Sequence, residues 1–334
     1  MLDFIIKLSA IFKARQRINS LVWRTPLIES YELSKRTDEQ VYFKAECLQV
    51  TGSFKLRGAA SKILSLTGEE RSRGIIAVSS GNHGRAVSYI ASHLGIEATI
   101  CVSKHVPENK LAAIRRNGAQ LVVEGQTYEE AEEIAVGIQR ERGLVRIDPF
   151  DDPYVIAGQG TLGLEIIEDL PEVRTVLVPM SGGGLISGIA IALKSADPSI
   201  RLIGVTMEKG AAMVESLRAG HIVEITEEPT LADGLAGGIP PDNRYTFRLC
   251  QRYVDDAVLV SEAEIARAMR FALEEDHLVV EGSGAVGIAA LLHDKVAKLK
   301  GPVVAVLSGG NVDLGVLLEI ANQHGALGQR HVGS

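Results

Sequence analysis

Ile75-Ile76-Ala77-Val78-Ser79-Ser80-Gly81-Asn82-His83-Gly84 joins an apolar, β-type run to a helical pattern through a turn of small residues. The run 75–78 reads as a strand, and 82–94 reads as a helix that ends at Gly95. Outward from there the same unit repeats. A strand over 97–102 precedes a helix that starts after Pro107 and ends near Gly118. A strand over 120–123 precedes an acidic helix over 128–142, stopped at Gly143, and 144–147 closes a fourth strand. Strands alternating with helices of this length predict a parallel sheet with right-handed crossovers.

A second series follows Pro149-Phe150-Asp151-Asp152-Pro153, whose prolines and acids mark a crossing between domains. Its predicted strands are 173–178, 200–205, 257–260 and 303–307, and its clearest helices are 184–194, 263–276 and 285–299. The Pro- and Gly-rich segment 225–245 reads as an irregular loop, and no repeat or low-complexity tract is found.

Bulk properties narrow the function classes. The 334 residues allow about two domains and a substantial core. A net charge of −7, from 35 basic against 42 acidic side chains, with no long basic run, argues against a nucleic-acid partner. Three widely spaced cysteines, Cys47, Cys101 and Cys250, lack metal-ligand spacing and read as reduced packing residues. The start carries Asp3 within too short an apolar run for a signal peptide, and no stretch is long enough for a membrane span. The expectation is a cytoplasmic protein without membrane contact.

Four turns carry chemistry. In Thr51-Gly52-Ser53-Phe54-Lys55-Leu56-Arg57-Gly58-Ala59 one lysine sits among small, hydroxylated and aromatic neighbours. A lysine that loses its proton can bond covalently to an aldehyde cofactor, although a cap followed by a solvated charge is the blander reading. Ser181-Gly182-Gly183-Gly184-Leu185 lies between a strand and a helix, where backbone N–H groups and the helix dipole favour an anion. A tight turn without ligand is one alternative. A dinucleotide site is another, since Gly182-x-Gly184-x-x-Ser187-Gly188 nearly matches that fingerprint and Glu208 follows the next strand. A phosphate ranks first because a monophosphate needs only this one turn. Ser79-Ser80-Gly81-Asn82-His83-Gly84 offers hydroxyls, an amide, an imidazole and a helix start to a carboxylate or a cofactor oxygen; a serine N-cap with a solvated His83 is the alternative. Ser308-Gly309-Gly310-Asn311 ends the last strand in similar style. Ligands of open α/β sheets gather at the carboxyl ends of strands, where three of these turns lie.

Taken together, these residues resemble the serine/threonine dehydratase and serine racemase family of pyridoxal-phosphate enzymes. The matching stretches are 51–59, 79–84, 149–161, 181–185, Ala232-Asp233-Gly234 and 308–311, in order over nearly the whole chain. The resemblance implies an α/β fold of type II, like the tryptophan synthase β subunit, in which two domains each hold a mostly parallel sheet flanked by helices. Residues 1–67 with 153–334 would form the large domain, and 68–152 a small mobile one. Lys55 would carry pyridoxal 5'-phosphate and act as base on the substrate Cα proton. Phe54 and Gly234 would lie against the faces of the ring, and Asn82 would hydrogen-bond its hydroxyl. Ser181, Gly182, Gly183, Gly184 and Leu185 would hold the phosphate, and Ser308 would face the ring nitrogen. Ser79, Ser80, Asn82 and His83 would grip the substrate carboxylate, with Ser80 also able to serve as acid on the opposite face. The implied reaction is β-elimination of water from a β-hydroxy amino acid, in a homodimer.

Three departures refine that expectation. Thr206 and Ala212 stand where the family's cation site places acids, with Glu208 displaced, so no metal is expected. Phe150 matches dehydratases where the racemase pattern has a polar residue, which leaves racemisation as the alternative activity. The chain ends soon after the catalytic core, so feedback inhibition by isoleucine is not expected. Segments 207–213, 237–247 and 278–292, mainly outside the catalytic loops, resemble a dehydratase subgroup of hydroxyectoine utilisation, which would imply hydroxyectoine or a related compound as substrate. A dinucleotide-dependent oxidoreductase and a catalytically silent binding protein remain open at this point.

Overall fold

The structure, a computed structural model, describes residues 6–322. Among these, ten strands run in chain order: β1 Leu27–Glu29, β2 Val41–Ala45, β3 Ile75–Val78, β4 Ala98–Val102, β5 Gln120–Val123, β6 Val145–Arg146, β7 Thr175–Pro179, β8 Arg201–Met207, β9 Asp256–Val260 and β10 Val303–Leu307. They form a six-stranded sheet ordered β1-β2-β10-β7-β8-β9 and a four-stranded sheet ordered β5-β4-β3-β6. Only β1 pairs antiparallel, with β2; every other pairing is parallel. Every residue of β3, β4, β7 and β10 is buried, as expected of parallel strands covered by helices on both faces. The expected fold class is therefore present.

Local chemistry explains the helix ends. Gly95 and Gly143 close helices Asn82–Leu94 and Tyr128–Arg142 in the left-handed conformation that lacks a Cβ penalty. Ser261 and Glu264 form a reciprocal capping box at the start of helix Glu262–Glu274. The helix expected over 285–299 is shorter and shifted, spanning Gly282–Leu292. Its end is set by a turn in which Asp294 and Lys298 adopt positive φ, followed by the strand entry at Pro302.

Helix Pro153–Asp169 is absent from the sequence-based expectation, because Gly158, Gly160 and Gly163 disfavour a helix locally. Asp152 starts it by accepting from the N–H groups of Tyr154 and Val155. Its glycines let it press against helix Gly184–Ala196 and helix Lys55–Ser65. A Cβ on Gly188 would stand 2.3 Å from the Ile156 carbonyl oxygen, and one on Gly158 2.5 Å from the Arg57 carbonyl oxygen. Because the obstacles are backbone atoms, Gly188→Ala is expected to destabilise the fold by about 1–3 kcal/mol, read as a lowered thermal midpoint. An unchanged midpoint would refute this packing.

Helix Lys55–Ser65 joins the two sheets. Leu56, Ala59, Ala60 and Ile63 share an apolar cluster with Ile75, Ile90 and Ile100 around the smaller sheet, while Gly58 faces the Pro153–Asp169 helix through Gln159. Among the described residues no helix is long and apolar enough to cross a membrane.

Candidate active site

The chemically loaded turns follow the carboxyl ends of strands in both sheets. β2 leads toward Thr51–Lys55, β7 into Ser181–Gly183 and β10 into Ser308–Asn311; from the smaller sheet, β3 leads into Ser79–Gly81 and β6 toward Pro149. The lysine turn is stitched to the β10 turn. Ser53 and Gly309 form an isolated antiparallel bridge, the Phe54 N–H donates to the Ser308 carbonyl at 3.0 Å, and the Gly310 N–H to the Gly52 carbonyl at 2.9 Å.

Lys55 Nζ donates to the Pro149 carbonyl at 2.9 Å. Phe150, the next residue, lays its ring against Gly182, where a Cβ would come within 2.6 Å of ring carbon, and a Cβ on Gly184 would come within 2.8 Å of the Phe150 carbonyl oxygen. The segment 149–150 thus brings Lys55 beside the glycine turn, and only glycines fit against it. Phe54 stays next to the amine, with Nζ 5.3 Å from its ring centroid.

Two charge effects follow from this placement. Desolvation lowers the Lys55 ammonium's pKa to about 8, against the pull of Asp148, so a far larger share of the amine is neutral near neutral pH than for a free lysine. His83 is 4% exposed, with Nε2 2.9 Å from the Ile147 carbonyl oxygen. Burial first, then the Lys55 charge, depresses its pKa to about 3, so the ring is neutral and ties the start of helix Asn82–Leu94 to the segment after β6. The solvated His83 considered from sequence does not occur.

Both glycine-rich helix starts lack a side-chain cap. Gly81 is the N-cap of helix Asn82–Leu94, and Gly183, at φ 86, is the N-cap of helix Gly184–Ala196; neither helix has a side-chain cap hydrogen bond. Ser79 Oγ accepts from the Gly81 N–H at 3.3 Å instead of capping. Such starts leave N–H groups and the positive end of the dipole facing the turn, as an anion requires.

Gly234 lies beside Ser283, where its Cβ would be 2.8 Å from Ser283 Oγ, and Ser308 Oγ donates weakly to the Ser283 carbonyl at 3.5 Å. Asn82 Nδ2 donates to Glu281 Oε1 at 2.7 Å. From the stretch 278–292, most of which lies outside the four turns, Glu281 and Ser283 reach Asn82 and Gly234. The signal was Glu281-Gly282-Ser283-Gly284, a glycine-rich helix start with Glu281 as its N-cap. Pro149 and Asn311 lie in the quoted stretches 149–161 and 308–311 but carry no individual role in the sequence reading, the first because it acts through its backbone carbonyl. Glu208, weighed as a ribose or cation ligand, faces Lys295 at 3.7 Å.

These residues fit pyridoxal phosphate. The turn at 181–184 suits a phosphate, and Lys55 holds a desolvated amine beside it. The buried hydroxyls Thr51 Oγ1, Ser53 Oγ and Ser283 Oγ lack hydrogen-bond partners among the described residues, the first two in the lysine turn and the third in the first turn of helix Gly282–Leu292.

Comparison with known proteins agrees. Residues 18–309 match the family described as pyridoxal-phosphate dependent enzyme. The L-threonine ammonia-lyase of Thermotoga maritima is 47% identical over 318 residues, covering 95% of this chain and 79% of that protein. Among solved structures, maize serine racemase superposes with a TM-score of 0.89 at 36% identity, covering 94% of this chain and 96% of that one. The T.th. threonine deaminase superposes with a TM-score of 0.86 at 38% identity, covering 92% of this chain and 99% of that one.

Proposed function

Because the chain belongs to the family of pyridoxal-phosphate dependent enzymes, and pyridoxal phosphate is its cofactor, we propose that it is a dehydratase of the ammonia-lyase type acting on a β-hydroxy α-amino acid. The observation that carries this reading is the desolvated Lys55 amine, held by Pro149 next to an uncapped, glycine-lined helix start. When bound, the cofactor supplies an electron-withdrawing ring that makes the substrate Cα proton acidic.

In this reading Lys55, Phe54, Asn82, Gly234, Ser308 and the turn Ser181, Gly182, Gly183, Gly184 and Leu185 hold the cofactor. Lys55 Nζ receives the Cα proton, and the β-hydroxyl leaves as water once it gains a proton. Ser79, Ser80, Asn82 and His83 orient the substrate carboxylate, with neutral His83 anchored through Nε2 at the Ile147 carbonyl. The enamine product tautomerises and is hydrolysed to a 2-oxo acid and ammonia. Ser308 carries a neutral hydroxyl, so it stabilises a protonated ring nitrogen less than an aspartate does, which favours elimination over transamination. Residues 68–152 act as the small domain that closes over substrate and excludes water, against 1–67 with 153–334. The same reading carries a cytoplasmic homodimer.

The substrate side chain is threonine- or serine-like, with a hydroxyectoine-derived compound as the finer alternative that segments 207–213, 237–247 and 278–292 support. Threonine, serine, 3-hydroxyaspartate and hydroxyectoine are to be scored for ammonia release by the purified, cofactor-loaded protein. Release from threonine or serine is the expected result, and release from none of the four would overturn the reading. The likeness to maize serine racemase favours one second activity, racemisation with Ser80 as the opposite-face acid, visible as D-amino acid by chiral chromatography.

A further inference from the structure

Four side chains beside the site form a hydrogen-bond chain with one permitted direction. Arg85 Nη1 donates to Asn311 Oδ1 at 2.6 Å. Asn311 Nδ2 donates to Asn82 Oδ1 at 2.6 Å and to the Thr51 carbonyl at 2.9 Å. Asn82 Nδ2 donates to Glu281 Oε1 at 2.7 Å, and Glu281 Oε2 accepts from the Asn311 backbone N–H at 2.9 Å. A guanidinium only donates and an ionised carboxylate only accepts, whereas an amide can face either way. With those two groups at the ends, turning Asn82 over would set its carbonyl oxygen against the Glu281 carboxylate and its amino group against that of Asn311. Glu281 cannot retreat, since it is 6% exposed and Gly309 packs so closely that a Cβ there would be 2.4 Å from Oε1.

We propose that Glu281 is the positioning residue that fixes Asn82 as a hydrogen-bond donor toward the cofactor's ring hydroxyl. This rests on the proposed role of Asn82 at that hydroxyl. An amide nitrogen carries two N–H groups; one is engaged by Glu281, and the second is left to meet a ring oxygen. A donor favours the ionised form of that oxygen, while a flipped amide presents a carbonyl and disfavours it. Glu281 therefore tunes the electronic state of the cofactor through Asn82.

The surroundings of Glu281 make the control pH-sensitive. Burial, then Asp233, raises its carboxyl to about 7, against the N–H bonds from Asn82 and Asn311 and the charge of Arg85. Asp233 is itself bridged to Lys110 at 2.7 Å, and Cys47 is a half-buried thiol whose own pKa is pushed up to about 12, by burial first. Above neutrality Glu281 only accepts; below it, the protonated carboxyl can donate and the direction of the chain is lost.

The test compares wild type, Glu281→Gln, Asn82→Ala and the double variant, each titrated with pyridoxal phosphate and followed by visible absorbance from pH 6 to 9. Glu281→Gln keeps the shape but no longer dictates direction, so a roughly tenfold weaker cofactor affinity and an upward shift of about one unit in the titration of the visible band are expected. In the Asn82→Ala background the same substitution should change neither quantity, because its effect runs through Asn82. Equal effects in both backgrounds, or a spectrum and affinity like wild type in Glu281→Gln, would sink the inference while leaving the cofactor assignment standing. Should Glu281→Gln not fold, the wild-type band decides: a shift as pH falls through about 7 that is lost in Asn82→Ala supports the proposal, and a shift retained there refutes it. A wild-type protein that acquires no visible band would instead overturn the function reading, and the inference with it.

Discussion

Lys55→Ala is expected to lower ammonia release from the hydroxy amino acid by at least ~10³-fold, since in the proposed reading one side chain would supply both the covalent link to cofactor and the base. The same variant should give no borohydride-stable adduct on the peptide containing position 55, whereas wild type should. Near-normal turnover in the alanine variant would mean that another group takes the Cα proton. Burial gives this prediction a pH signature. With a pKa of about 8 in the cofactor-free protein, roughly a tenth of the amine is neutral at pH 7, against far less than a hundredth for an ordinary lysine. The neutral amine is the nucleophile, so the rate at which apoprotein captures pyridoxal phosphate should climb with pH up to about 8 and level off above it. A rate still climbing steeply above pH 9 would show that the amine is not desolvated.

Arg57→Met is expected to cost about 3–5 kcal/mol of stability, the range found when a buried ion pair loses one partner. Arg57, two residues after Lys55, is 1% exposed and lies between two carboxylates that are 0% and 6% exposed, those of Glu46 and Glu165. Its Nε and Nη2 donate to Glu46 at 2.8 and 2.9 Å, and its Nη1 and Nη2 donate to Glu165 at 2.6 and 3.0 Å. Burial opposes ionisation of Glu46, but Arg57, Thr25 and Lys44 outweigh it and hold the carboxyl below its ordinary range. Lys44, itself fully buried, bridges to Glu165 at 2.7 Å, so Glu46 is the acid left uncompensated by the substitution. The loss should appear as a thermal midpoint lower by roughly 4–7 °C. Adding Glu46→Gln to Arg57→Met should recover part of it by removing the stranded charge. If the double variant is no more stable than the single one, lost packing rather than buried charge explains the effect.

Much of the fold could be read before any tertiary information. Strands 75–78, 120–123 and 303–307 and helices 82–94 and 128–142 appear at their expected bounds, because apolar runs and terminal glycines act within a few residues. β2 escaped notice because Tyr42 and Lys44 break its apolar character. Lys44 can be buried there only because Glu165 and the Thr25 carbonyl, distant in the chain, meet its ammonium. The Pro153–Asp169 helix was hidden by glycines that weaken a helix alone and allow close helix contact once packed. The overlong helix at 285–299 was the reverse error, an apolar pattern that continued past the turn at Asp294.

By itself the sequence determined which chemical groups were available: one lysine in a small-residue turn, several glycine-rich strand ends, and a serine rather than an aspartate at 308. Those follow from residue identity and local backbone preference, which need no partner. Only the tertiary structure decided that the Pro149 carbonyl meets the Lys55 amine, that Glu281 and Asn311 settle the direction of Asn82, and that His83 is neutral. Hydrogen bonds act over about 3 Å, and desolvation depends on everything packed around a group. Both are properties of neighbours brought together by folding, so they cannot be assigned from positions along the chain.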